Sequence, residues 1–307
     1  LHHNLTPQQR EIYDEFAGAW QIVLSNINAA LELTDGAKSG KGKSSALAQF
    51  WGSSQRFFNQ VITSMQTPAV VNSIEKDLEA GHAVVLQIVN TNEAATGRAL
   101  ARMEEGDELE DLDLTPKEQI MDYVKHSFPV AQYEPVEDEE GNIKYVVVTD
   151  SAGNPVENAE AVALREELLN RLGSVRGIDG PMEILLNHFG TDKIAEITGR
   201  TRRVVYAKDE NGKQVKVIEH RSKAKTMADA DAFMNDKKPI LIFSYAGGTG
   251  RSYHADLVVK NQRLRRHYLL QAGWRADRAI QGFGRTHRSS QKQAPEYVLV
   301  TTDIIGQ

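Results

Sequence analysis

The chain has 307 residues, 40% of them hydrophobic and 25% charged, the make-up of a folded globular protein with room for one large core or two modest ones. It has no cysteine, which excludes disulfide frameworks, thiolate metal sites and cysteine nucleophiles and is compatible with a reducing cytoplasmic or nuclear setting. Its 36 basic and 42 acidic side chains leave a net charge of −6, and its longest apolar runs are of strand length, so no membrane partner is expected.

His2 and His3 have the look of a cloning remnant and receive no role, and the opening residues show no secretory leader. Thr6 and Pro7 start an amphipathic helix carrying Tyr13, Phe16, Trp20, Val23, Leu24, Ile27 and Leu31, which stops at the polar stretch 34–45. Within that stretch, residues 37–44 fit a relaxed phosphate-loop pattern with alanine in place of the first glycine. A phosphate loop follows a buried strand and opens a helix. What precedes Lys43 is helical, so the stretch reads as a lysine-rich linker. A second helix carries Leu47, Phe50, Trp51, Phe57, Phe58, Val61 and Ile62, and a third covers 68–80, ended by Gly81.

An apolar strand is expected at 83–89. An insertion at about 99–172 follows, acidic from 104 to 140, with helices at 118–126 and 159–172 and a hairpin around 144–149 between turns at 139–142 and 152–155. Then come a helix at 182–189, a strand at 194–197, a hairpin turning at 209–212 and a helix at 228–234. The last elements are strands at 240–244, 268–271 and 297–301, with a helix at 276–288 before the final strand. Short apolar strands alternating with helices indicate a parallel sheet covered on both faces. The expected fold is α/β: a RecA-like parallel sheet flanked by helices over 81–307, with a helical N-terminal extension over 1–80 and the mixed insertion.

Two segments carry chemistry. Gln281 to Gln291 places Arg285 and Arg288 three apart at the end of a predicted helix, on one face, where planar guanidinium forks suit an ATP γ-phosphate. The glycine-rich loop at Gly247, Gly248, Thr249, Gly250 and Ser252 directly follows an apolar strand, at the sheet edge where open α/β folds bind ligands. From Lys260 to Lys292 there are seven arginines and two lysines against Asp277 alone, a basic field able to attract phosphate on an acidic chain. His82, His126, His188, His254 and His267 lack metal-ligand spacing and read as surface or core residues, and no metal ligand is assigned. Trp274 reads as a core anchor, and His287 has either a packing or a nucleotide-facing role.

In this succession the loop and the arginine segment resemble motifs V and VI of superfamily 2 helicases. The chain is similar in particular to the strawberry notch helicase C-terminal domain, through residues 50–58, 84–94, 195–200, 281–291 and 294–297. The resemblance implies catalytic roles for Arg285 and Arg288, Arg288 being the arginine finger. It implies nucleotide binding or coupling at Gln281, Gly284, Gly248 and Gly250, and nucleic-acid contacts at Thr249, Ser252, Arg200, Asn90 and Thr91. Arg251 departs from the family, which has an aliphatic residue there.

ATP and Mg2+ are expected to be held mainly by an N-terminal RecA-like lobe supplied by the rest of a longer protein. With neither a Walker A loop nor an Asp-Glu box, this chain alone is expected to be inactive. The other implied partners are nucleic acid, DNA in preference to RNA, and a fused or associated DNA methyltransferase, which favours a bacterial or mobile-element origin and the cytoplasm; a eukaryotic origin implies the nucleus. The alternatives are a Snf2-type DNA translocase lobe and a non-catalytic nucleic-acid- or protein-binding module.

Overall fold

The computed structural model describes residues 1–89, 97, 101, 116–245, 251–273 and 276–304. Along the chain the elements are β1 (His2–His3), α1 (Pro7–Leu33), a short 3-10 turn (Gly36–Lys38), α2 (Gly40–Glu79), β2 (Ala83–Gln87), α3 (Pro116–Ser127), β3 (Tyr133–Glu137), β4 (Ile143–Val147) and α4 (Ala159–Leu172). There follow α5 (Pro181–Phe189), β5 (Ile194–Ile197), β6 (Arg202–Lys208), β7 (Gln214–His220), α6 (Lys223–Met234), β8 (Ile240–Phe243), β9 (Arg265–Leu269), α7 (Ala276–Phe283), β10 (Glu296–Leu299) and β11 (Thr301–Thr302). They divide into two compact units, a helical one of Pro7–Phe58 with Thr115–Ile178, and a sheet-bearing one of Leu1–Thr6, Asn59–Leu114 and Asp179–Gln307.

The helical unit is held by aromatic packing. Trp20 of α1 lies 5.5 Å from Phe50 and 5.4 Å from Phe57 of α2, and 5.5 Å from Tyr123 of α3, in tilted or edge-on geometries. Asn158 caps α4 by accepting a hydrogen bond from the Ala161 N–H at 3.0 Å. The sequence reading set its boundary near residue 80, whereas the compact units part at Phe58. The reason is that the apolar faces of α1 and early α2 pack on α3 and α4 of the insertion, so the two stretches share one core.

The sheet unit is an α/β RecA-like fold. Its five strands are all parallel in the order β10-β9-β2-β8-β5. Alternate residues of the central strand point to opposite faces. Val84 and Leu86 join Val70 and Ile74 of α2 and Leu185 of α5 on one face. Ala83 and Val85 join Phe233 of α6 and Tyr253 on the other. Complete burial of each large apolar side chain contributes about 1.5–3 kcal/mol. Strand order reverses around β2, because β5 and β8 lie to one side of it and β9 and β10 to the other. The carboxyl ends beside such a reversal form the edge where these sheets take ligands.

Several expected boundaries move. The helices expected at 47–62 and 68–80 form one helix, α2, with Pro68 inside it. Proline removes one intrahelical hydrogen bond, but Gln60 to Thr67 are almost entirely buried and stay helical, with the Thr63, Ser64 and Thr67 hydroxyls bonding back one turn. α6 begins at Lys223, five residues before the expected start, where the Ser222 hydroxyl caps it by accepting from the Lys225 N–H. His2 and His3, read as a remnant, pair in parallel with Thr301 and Thr302, and the Leu1 amino group donates to the Leu299 carbonyl at 2.7 Å. Among the described residues no helix is long and apolar enough to cross a membrane.

Candidate functional site

The carboxyl ends of β2, β8 and β5 lead into segments 90–96, 246–250 and 198–201. The first two lie outside the described residues, and with them the expected positions Asn90, Thr91, Gly248, Thr249 and Gly250, as does Trp274. The flanks of the glycine loop are described. Tyr245 stands at its start, and Arg251, half-buried Ser252 and buried Tyr253 follow it.

The arginine segment differs from expectation in one structural respect. α7 ends at Phe283 and the chain turns through Gly284 to Thr286, so Arg285 and Arg288 do not share a helical face. Their positions are set by the turn. The Arg285 carbonyl accepts from the Tyr253 N–H at 2.6 Å, and Arg285 Nη1 donates to the Arg251 carbonyl at 3.0 Å. The guanidinium carbon of Arg285 lies 5.5 Å from the centre of the Phe243 ring. The turn is thereby stitched to the segment that follows the glycine loop. Arg288 is exposed, and its N–H donates to Gln291 Oε1 at 3.2 Å. Gln281 is exposed on the last turn of α7.

Beneath the turn lies a buried polar hub that the sequence reading missed. Gln87 Nε2 donates to Tyr245 Oη at 3.2 Å and to the Ala279 carbonyl at 3.3 Å. Gln87 Oε1 lies 3.1 Å from His267 Nε2, and His267 Nδ1 lies 2.7 Å from Thr286 Oγ1. These partners fix the tautomer: Nε2–H donates to the Gln87 amide oxygen, and Nδ1 accepts from the threonine hydroxyl. Burial pushes the imidazole down to about 3, so it is neutral at physiological pH. A Cβ on Gly282 would fall inside the Gln87 amide, so only glycine lets α7 approach the hub this closely. One amide thus ties the start of the glycine loop, α7 and the arginine turn together. The available signal was a lone glutamine in an otherwise apolar strand.

The expected basic field is smaller than the count of arginines implies. Arg263 pairs with Asp236 at 2.7 Å, and Arg266 pairs with Asp77 at 3.1 Å and Glu296 at 2.7 Å. Arg265 is fully buried, donating to the carbonyls of Tyr253, Arg263, His254 and Asn261 and to Asn261 Oδ1, and burial lowers it to about 10. β9 starts at Arg265, three residues before the expected strand, because this guanidinium is absorbed inside the fold. Among the described residues, no carboxylate pairs with Arg285 or Arg288.

Arg200, expected at a nucleic-acid backbone, is held inside the protein instead. It is 4% exposed and its Nε and Nη2 grip the Glu196 carboxylate, which also takes Arg203 Nη1 at 2.8 Å and the Thr198 hydroxyl at 2.6 Å. Burial raises the Glu196 carboxyl, but Arg200 and Arg203 outweigh it and hold the group at about 2. The network continues through Arg221, which donates to the Glu196 carbonyl and to Asp229, and Lys238 also pairs with Asp229.

Two buried polar atoms after the glycine loop, Tyr253 Oη and His254 Nδ1, have no hydrogen-bond partner among the described residues. Such orphaned groups are what a site completed by another molecule or segment leaves behind. Among the described residues no group of three His, Asp, Glu or Cys side chains is placed to hold a metal ion.

Comparison with known proteins agrees with this architecture. A helicase C-terminal family model, described as the C-terminal domain on strawberry notch homologue, matches residues 180–307. Strawberry notch homolog 1 of Rattus norvegicus is 26% identical over 97% of this chain, which covers 28% of that protein. Strawberry notch of Drosophila melanogaster is 39% identical over half of this chain and 10% of its own length, and FORGETTER 1 of Arabidopsis thaliana is 38% identical over 48% of this chain and 12% of its own length. The chain thus spans little more than a quarter of the rat protein and about a tenth of the other two. No solved structure gives a significant match. The stretch from residue 180 to 307, which holds most of the parallel sheet and the arginine turn, is thus similar to the helicase C-terminal domain found on strawberry notch homologues.

Proposed function

We propose that this chain is the second RecA-like lobe of an ATP-dependent superfamily 2 helicase or translocase acting on nucleic acid, DNA in preference to RNA. In this reading the loop after β8 is motif V and the segment from Gln281 to Gln291 is motif VI. The observation that carries it is the sorting of the arginines. Those at 263, 265 and 266 are satisfied within the fold, while Arg285 and Arg288 sit on a braced turn with no carboxylate partner among the described residues. Their guanidinium groups fit the γ-phosphate of ATP.

Bound ATP with Mg2+ supplies the phosphoryl group and is held mainly by the N-terminal lobe of the longer protein. The work of this chain is electrostatic. Arg285, fixed by Tyr253 and Arg251, positions the turn, and Arg288 neutralises charge that builds on the phosphate oxygens. Exposed Gln281 couples the site to the first lobe. Exposed Leu257 and Val258, joined to the arginine segment by the hydrogen bond from Leu257 N–H to the Ser290 carbonyl, give that lobe an apolar surface to close on.

The test uses the full-length protein. Arg288→Ala is expected to lower kcat for nucleic-acid-stimulated ATP hydrolysis by about a thousandfold or more, with Arg288→Lys rescuing little because an ammonium lacks the two-point fork. An unchanged rate in Arg288→Ala overturns the reading. The isolated chain is expected not to turn over ATP, and turnover abolished by Lys43→Ala would assign the phosphate loop to residues 37–44 instead.

A further inference from the structure

The hairpin of β6 and β7 leaves the carboxyl edge of the sheet directly after β5 and returns to it before α6. Directly paired residues of an antiparallel ladder share a face. The register therefore sorts the hairpin into two faces of different character. One pairs Arg203 with Glu219 in an ion pair of 3.1 Å and stacks Val205 against Val217; Arg203 on it is buried. The other carries Arg202, Val204, Tyr206 and Lys208 from β6 and Lys216 and Ile218 from β7.

Among the described residues this second face is open. Tyr206 is 48% exposed and Ile218 39%. Aromatic and β-branched side chains normally enter strands to be covered, so an uncovered tyrosine between two cationic positions asks for a partner. The acids of the hairpin are all elsewhere. Glu219 is on the opposite face, and Asp209 and Glu210 are in the turn, where the Asp209 carboxylate accepts the N–H groups of Asn211 and Lys213. An acid-free strip on a chain of net charge −6 is complementary to a polyanion. Its central planar ring adds a surface on which a base stacks. The strip also adjoins the ligand edge, since a Cβ on Gly97, in the stretch that follows β2, would lie 3.4 Å from Arg202 Nη2.

We propose that the outer face of the β6–β7 hairpin binds single-stranded nucleic acid, with Tyr206 stacking on a base and Lys208 and Arg202 contacting flanking phosphates. This rests on the reading of the chain as a nucleic-acid-handling lobe. It assigns the contact to a hairpin rather than to Arg200, which is buried.

The test is fluorescence anisotropy of a labelled oligothymidylate with the chain at low salt. Tyr206→Ala is expected to weaken binding by about five- to 150-fold, Tyr206→Phe to retain it, and Lys208→Gln to reduce the salt slope by about 0.7. Tyr206 is exposed, and an unchanged far-ultraviolet circular dichroism spectrum excludes misfolding as the cause. Equal affinity of Tyr206→Ala and the unaltered chain overturns the hairpin assignment and leaves the nucleic-acid reading intact. No binding by the unaltered chain overturns both. Displacement of the oligonucleotide by poly-glutamate at equal charge concentration, with the same dependence on Tyr206, assigns the face to an acidic protein and overturns the proposal.

Discussion

Lowering the pH through the range where an ordinary histidine gains its charge is expected to destabilise the sheet unit through His267. The imidazole is wholly buried between Gln87 and Thr286, and its burial moves it from 6.5 to about 3. In the unfolded chain the same group takes up a proton near pH 6.5, so below that value the unfolded state binds one proton that the folded state refuses until about pH 3. Stability from this group is therefore complete above pH 6.5 and is lost as pH falls toward 3. At about 1.4 kcal/mol for each pH unit, the full window is worth about 4–5 kcal/mol, and the fall from pH 6.5 to 5 about 2 kcal/mol.

The perturbation is His267→Gln, which keeps a polar side chain and removes the titration. The assay is the urea midpoint of the chain at pH values from 7 to 4. The unaltered chain is expected to lose about 2 kcal/mol more than the variant by pH 5. The imidazole resonances of His267 should show no titration above pH 4 in the native state. Parallel pH profiles for the two proteins, or a native imidazole titrating near 6.5, would refute the buried hub as the anchor of the arginine turn.

Three further outcomes test separate features. Glu196→Ala leaves Arg200 and Arg203 buried without their shared carboxylate and should cost about 3–5 kcal/mol in urea unfolding; a loss below 1 kcal/mol would show that water or rearrangement replaces the pair. Because Glu196 is held at about 2 against an ordinary 4.5, the stability it contributes is present above pH 4.5 and disappears only between there and about 2. Gly282→Ala drives a methyl group into the Gln87 amide, which is pinned by three partners, and is expected to cost about 1–3 kcal/mol in urea unfolding; a wild-type melting temperature would contradict the close approach. Ser222→Ala removes the cap of α6 and should lower stability by about 1 kcal/mol, measured as a shift of the urea midpoint.

Much of the fold was legible because its punctuation is local. Asp138, Asp150 and Asp209 each stand three residues before a glycine, and each carboxylate accepts N–H groups two and four residues on. The glycines that follow, Gly141, Gly153 and Gly212, have φ of 82°, 83° and 78°, so turn chemistry and backbone agree. The apolar strands at 194–197 and 240–243 were equally plain, since burial on both faces leaves no polar position in them beyond Glu196. What was not legible depends on partners distant in the chain. Arg265 and Arg266 look like surface cations in the sequence, and only tertiary contacts take them up, Arg265 with the Tyr253 carbonyl and Arg266 with Asp77. The fate of Pro68 is of the same kind, because its helix survives through burial that no local pattern reports. At the candidate site, order along the chain located the arginine segment, but its end-of-helix geometry was misjudged because the helix stops where Gly282 meets Gln87.

The central place of β2 has a consequence for how the chain is made. Val84 forms its neighbours with Ile240 on one side and Arg266 on the other, each more than 150 positions later in the sequence. At a synthesis rate of about 5–20 residues per second, the β2 segment waits on the order of ten seconds or more on the ribosome before either flank exists. During that wait an uncharged strand of Ala83 to Gln87 displays two unpaired edges, the pattern most prone to join another chain. Biogenesis of the sheet unit therefore carries a built-in delay during which its future centre is open to other chains.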